Sequence, residues 1–154
     1  MNEIKRLISY RDLDVYQSSY QKMLTIHNEI ISKLPKEEEY DLKSQLRRAT
    51  KAIPRLIAEG YAKRHQRKGF QKYIDDAMAE SNETIVSLSE AVDLYTNFID
   101  SQLCHQLIDA YDKISRQLYN LALAWEQFNR CTRKTITDTS YDTDTRKTVE
   151  RNTK

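Results

Sequence analysis

The sequence predicts an all-α protein, an antiparallel up-down-up-down four-helix bundle that is oligomeric. Three observations carry this. The 154 residues hold only two Gly and two Pro, where average usage gives roughly 18 together. So few turn formers exclude a β-sandwich, a β-barrel or an α/β fold, each of which needs many tight connections. Four long segments carry apolar residues at helical spacing. The breaks between them are short, as an up-down bundle requires.

The first helix is expected over about residues 12–33. Leu13, Tyr16, Tyr20, Met23, His27, Ile30 and Leu34 step by three and four, and Leu24 and Ile31 widen the stripe. Asp12 or Asp14 serves as N-cap. Pro35 ends the helix, because its ring disfavours helical geometry at Leu34. His27, on the apolar stripe, reads as a core or interface histidine.

The second helix is expected over 40–60. Leu42, Leu46, Ala49, Ile53, Leu56, Ile57 and Gly60 share one arc, and Lys43, Arg47, Arg48, Lys51 and Arg55 share another. Pro54 lacks an amide donor and predicts a kink. Gly60 is either a C-cap or a close-packing position. The third helix, 70–98, carries Phe70, Ile74, Ala77, Ser81, Ile85, Leu88, Val92 and Tyr95. The fourth, 101–131, opens on Ser101 as N-cap and carries Leu103, Leu107, Tyr111, Ile114, Leu118, Leu121, Trp125 and Phe128 in nearly heptad spacing. Residues 132–154 hold eight Thr and no apolar periodicity, which reads as a disordered or loosely attached tail. Stripes wider than a strict coiled-coil seam, and ten Tyr against three Phe, point to self-association, since Tyr suits half-wet interfaces.

Net charge is only +2, yet residues 43–72 hold ten basic side chains and one acidic one, Glu59. Residues 73–131 hold three basic and ten acidic. A basic stripe of this kind is the footprint of a phosphate-bearing partner. The blander reading is that it neutralises the acidic helices beside it.

The chemistry of an enzyme is missing. None of His27, His65 and His105 follows a Glu by three residues, as a di-iron bundle needs. No Cys-x-x-Cys and no Gly-rich phosphate loop occurs. Glu80 with Glu83 and Asp109 with Asp112 are spaced for an acid/base pair but read as solvated faces. The expectation is therefore a non-enzymatic protein with no catalytic residue, metal or cofactor. Cys104 and Cys131 on one helix lie roughly 40 Å apart, beyond the about 7 Å of a disulfide. Reduced cysteines and no readable signal peptide predict a cytoplasmic protein. The longest uncharged run, Gln117 to Trp125, is nine residues, short of the about 20 of a membrane span.

The stretch from residue 11 to 60 contains an ordered series of motifs. They are Asp12, Leu13, Val15, Tyr16; Pro35, Glu38, Tyr40; Gln45, Arg47, Arg48, Ala49; and Ile53, Pro54, Ile57, Ala58, Glu59, Gly60. With Gly-Phe-Gln-Lys-Tyr at 69–73, this resembles the four-helix-bundle proteins encoded in 23S rRNA intervening sequences, over roughly residues 10–125. The family usually has Asn where this chain has Leu56, and Gly-Ser where it has Glu80-Ser81. The resemblance implies a cytoplasmic bacterial bundle that forms a homopentamer, with no established catalytic activity. A related branch, the accessory proteins of diversity-generating retroelements, binds nucleic acid and a reverse transcriptase.

The candidate contacts to RNA or an RNA/DNA hybrid are Arg47, Arg48, Lys51 and Arg55 on the second helix. Lys63, Arg64, Arg67, Lys68 and Lys72 around the following connection extend them. No aromatic-interleaved RNA motif is readable, so contact would go to backbone and shape. One alternative is an adaptor that binds a protein partner such as a reverse transcriptase. Another is a structural oligomer whose basic residues pair with Asp75, Asp76, Glu80 and Glu83.

Overall fold

The structure, a computed structural model, describes residues 8–66 and 68–150, with side chains through residue 130. Among these it has four helices and no strand: α1 (Asp14–Thr25), α2 (Leu42–Ala62), α3 (Gly69–Tyr95) and α4 (Ser101–Glu150). The chain divides into two compact units, one ending at Asn120 and the other beginning at Leu121.

A 3-10 turn, Tyr10–Asp12, precedes α1 and is held by a capping box. The Asp12 carboxylate accepts from the Ser9 amide at 2.8 Å, and the Ser9 hydroxyl accepts from the Arg11 amide at 3.3 Å. Gln17 Nε2 donates to the Arg11 carbonyl at 2.8 Å, which ties the turn to α1.

The expected stripe of the first helix is buried at its ends and not in its middle. Leu13, Ile30 and Leu34 are in the core, but Tyr16, Met23 and His27 are only half-buried and Tyr20 is 42% exposed. The buried positions are instead Val15, Ser19 and Ile26. Ser19 can be buried because its hydroxyl donates to the Tyr16 carbonyl at 2.9 Å. After Thr25 the chain makes a π-helical turn, Ile26–Ile31. Its i→i+5 bonding fits an extra residue into the turn and rotates the register. Ile26, Ile30, Ile31 and Leu34 all reach the core in consequence.

Pro35 opens a second 3-10 turn, Lys36–Glu38. Glu38 then joins two helices. Its Oε2 accepts from the Leu42 amide at the start of α2 at 3.1 Å, and its Oε1 accepts from the Tyr95 hydroxyl at the end of α3.

α2 packs mainly on α3 and also touches α1. Of the arc the spacing predicts it buries Leu42, Leu46, Ala49, Ile53, Ile57 and Gly60, while Leu56 is half-buried. It continues through Pro54 and past Gly60 to Ala62. Gly60 is thus a packing position: a Cβ there would lie 3.0 Å from Tyr73 Cβ. Lys43 departs from the basic arc, being 7% exposed with its ammonium 3.5 Å from Glu39. The connection to α3 is tight. Lys68 takes a left-handed φ of 59°, and a Cβ on Gly69 would meet the Lys63 carbonyl at 2.7 Å.

α3 buries Phe70, Ile74, Ala77, Ser81 and Leu88 as expected, but also Thr84, Ser87 and Ala91. Ile85, Val92 and Tyr95 are half-buried. Short hydroxyls allow the shift because carbonyls satisfy them. Thr84 Oγ1 donates to the Glu80 carbonyl at 2.9 Å, and Ser81 Oγ to the Tyr111 carbonyl of α4 at 3.1 Å. Ser115 Oγ in turn donates to Ser81 Oγ at 2.8 Å.

Up to Asn120, α4 contributes Cys104, Leu107, Tyr111, Ile114 and Leu118 to the core. Burial, with Asp100 adding to it, pushes the Cys104 thiol up to about 11. From Leu121 on, Trp125 and Phe128 sit with ring centroids 5.9 Å apart, and Glu126 pairs with Arg130 at 2.6 Å. α4 runs to Glu150, past the end expected near Cys131. No Gly or Pro follows Gly69 in the sequence, so no breaker interrupts it. The last four residues of the Thr-rich tail, and the side chains from 131 on, lie outside the described residues.

Candidate nucleic-acid interface

The nine basic residues singled out by the sequence occupy different environments. Four are engaged within the chain. Arg47 donates to Glu39 across the start of α2, and Arg47, then Lys43, hold the Glu39 carboxyl below its ordinary value. Arg48 reaches α3 and pairs with Glu83 at 2.7 Å. Lys63 donates to Glu59 at 3.0 Å and to the Tyr73 hydroxyl, and its ammonium lies 4.3 Å from the Tyr73 ring centre. Arg64 folds over Tyr61, with the guanidinium carbon 4.1 Å from the ring centre and Nη1 donating to the Tyr61 carbonyl at 2.7 Å.

Four others, Lys51, Arg55, Lys68 and Lys72, are exposed, and none has an ion pair among the described residues. Arg67 lies outside the described residues. Of the four acidic residues that could neutralise α2 from α3, only Glu83 makes an ion pair with it among the described residues. Glu80 stays half-buried, and burial, then Glu83, raises its carboxyl, with Arg48 opposing.

Lys51 and Arg55 stand one turn apart on α2, beside a groove of about 360 Å³ between α1 and α2. α2 also supplies Pro54 and Ala58. α1 supplies Tyr16, Tyr20 and Met23, and Tyr10 of the preceding turn completes the lining. The three tyrosines are in contact. Tyr16 and Tyr20 are stacked with centroids 6.1 Å apart and 27° between planes, and Tyr10 meets Tyr16 edge-on at 4.9 Å. No lining residue is acidic.

The sequence reading missed this groove. Helical spacing places Tyr16, Tyr20 and Met23 in the core stripe, and no aromatic-interleaved RNA motif is readable among the basic residues. The two sets come from different helices. Their only sequence signal is a matching i, i+4 step, Tyr16 to Tyr20 and Lys51 to Arg55.

His27 lies within the electrostatic reach of Lys51 and Arg47. Its Nε2 lies 3.3 Å from the Thr50 hydroxyl. Thr50 Oγ1 donates its own proton to the Leu46 carbonyl, so the imidazole is assigned as the Nε2–H donor. Burial, then the charges of Lys51 and Arg47, hold His27 below its ordinary value. Among the described residues, no group of three or more His, Cys, Asp and Glu is placed to hold a metal ion. Among the same residues, no helix is long and apolar enough to cross a membrane.

The family of the 23S rRNA-intervening sequence protein matches residues 11–120 of this chain. The chain belongs to that family. No curated protein matches it. The match ends at the residue that closes the first compact unit, Asn120. Several motif residues of this chain have structural work. Glu38 links α2 to α3, Arg47 and Arg48 make ion pairs, and Gly60 permits close packing. Tyr16, Pro54 and Ala58 of the same motifs line the groove.

Proposed function

We propose that this member of the family is a non-enzymatic, cytoplasmic, oligomeric nucleic-acid-binding protein. It contacts the backbone of RNA or an RNA/DNA hybrid through a basic face on α2 and the α2–α3 connection. The observation that carries the reading is the state of Lys51 and Arg55. They are exposed, one helical turn apart, and free of ion pairs among the described residues. A cation with no protein carboxylate exchanges a mobile counterion for phosphate, and the released ion drives binding. Lys68 and Lys72 extend the face on the same grounds. Arg47, Arg48, Lys63 and Arg64 have partners already, so they position the face and make weaker contributions to it.

The helices run up-down-up-down, and copies of the chain assemble. Large apolar side chains left in solvent support assembly: Leu94 is 68% exposed, and Val86 and Phe98 are also exposed. Burial of such side chains between copies would remove this apolar surface from water.

The test is fluorescence anisotropy of labelled structured RNA, with protein freed of copurifying nucleic acid, at several salt concentrations. Four neutralised phosphates give a log–log slope of about −3 to −4. A flat slope, or no binding at low salt, overturns the reading and turns the search to an acidic protein partner such as a reverse transcriptase.

A further inference from the structure

We infer that the α1–α2 groove holds one unpaired nucleotide of a bound strand, its base on Tyr16 and Tyr20 and its two flanking phosphates on Lys51 and Arg55. This rests on the nucleic-acid reading above and adds to it a base-contacting site.

The groove combines two recognition chemistries. One wall is aromatic, with Tyr20 stacked on Tyr16 and 42% exposed, so that its ring is open to a ligand. The other wall carries two cations and no carboxylate. A ligand that satisfies both must join a flat π-system to an anion, which a nucleotide does. The size agrees, since about 360 Å³ falls at the small end of the usual range for small-molecule sites. Pro54 and Ala58 give α2 short side chains where the groove needs depth.

The site is also preorganised. The capping box fixes the turn that carries Tyr10, whose ring buttresses Tyr16 edge-on at 4.9 Å. The Arg11 guanidinium lies 5.6 Å from the centre of the Tyr10 ring. Less side-chain entropy is then lost on binding. Bases inside a duplex are already stacked and paired, so the groove selects unpaired nucleotides, by stacking that tolerates any base.

The test uses three labelled probes: an oligouridylate, an abasic strand of the same length, and an RNA duplex. Wild-type protein is expected to bind the oligouridylate about 5- to 150-fold more tightly than the abasic strand, the range of one stacked base. Tyr20→Ala should abolish that ratio and leave duplex binding and its salt slope unchanged. Tyr20→Phe should keep it. Lys51→Ala with Arg55→Ala should weaken all three probes. Circular dichroism checks that each variant is folded.

If Tyr20→Ala leaves the ratio intact, or if wild type shows no preference for the strand with bases, the groove is not a base site. The phosphate-binding reading then stands alone, supported by salt-steep binding. If Tyr20→Ala changes the oligomer size, the groove is a contact between copies and the inference falls. If no probe binds at low salt, both readings fall.

Discussion

Tyr111 is fully buried, and its hydroxyl has no hydrogen-bond partner among the described residues. Burial pushes that phenol far above its ordinary value. An unsatisfied buried hydroxyl costs about 1–3 kcal/mol, so Tyr111→Phe should stabilise the protein by about 1 kcal/mol. A melting point about 2–4 °C higher in calorimetry would show it. His27 supplies a pH dependence of known sign. Its folded value lies below the ordinary 6.5, so the unfolded chain binds the proton more readily. Its contribution is complete above the unfolded value and is lost as pH falls from there through the folded value. His27→Gln keeps a donor toward Thr50 and should flatten the fall in stability between about pH 7 and pH 5.5. Chemical denaturation across that range measures it. At this scale the sequence separates charge from apolar character but not paired from unpaired charge. Arg48 and Arg55 look alike in the string, yet Arg48 has Glu83 within reach and Arg55 faces a groove without carboxylates.

Elements depend on contacts that a single helix's periodicity does not contain. The four helical segments and the α2 core arc are legible because Leu42 to Gly60 keep one face throughout. The centre of α1 is not. The π-helical turn at Ile26–Ile31 and the buried Ser19 accompany a core face that lies off the tyrosines, and neither the change of register nor a buried serine shows in apolar spacing. The groove was illegible for the same reason. Gly60 is legible as special, but its rank against Gly69 is not. Gly69→Ala forces a Cβ to 2.7 Å from the Lys63 carbonyl, a backbone atom, whereas Gly60→Ala meets a Tyr73 side-chain atom at 3.0 Å. Gly69→Ala should cost about 2–3 kcal/mol, the upper part of the overpacking range. Gly60→Ala should cost less, because a helix-interior alanine regains up to about 1 kcal/mol of propensity. Urea unfolding of the two variants tests the order. Glu38→Ala removes the acceptor for the Leu42 amide and the Tyr95 hydroxyl together. It should cost about 1–3 kcal/mol, read by the same assay.

At the scale of the whole molecule, the basic segment is divided between internal and external work. Arg47, Arg48 and Lys63 are held by Glu39, Glu83 and Glu59, while Lys51, Arg55, Lys68 and Lys72 are left to solvent. The concentration of charge in residues 43–72 was readable because no folding is needed to count it. Its division was not, because Arg47 finds Glu39 eight residues back and Arg48 finds Glu83 on another helix, although the i, i+4 spacing of Glu59 and Lys63 is readable. The most direct test of that division is the salt dependence of RNA affinity, compared between Lys51→Ala/Arg55→Ala and Arg48→Ala. Each phosphate contact removed lowers the log–log slope by about 1. The double variant should therefore lose about 2 from the slope, and Arg48→Ala should lose well under about 1. An unchanged slope in the double variant, or an equal loss in Arg48→Ala, would contradict the assignment of the phosphate-binding face to the unpaired cations.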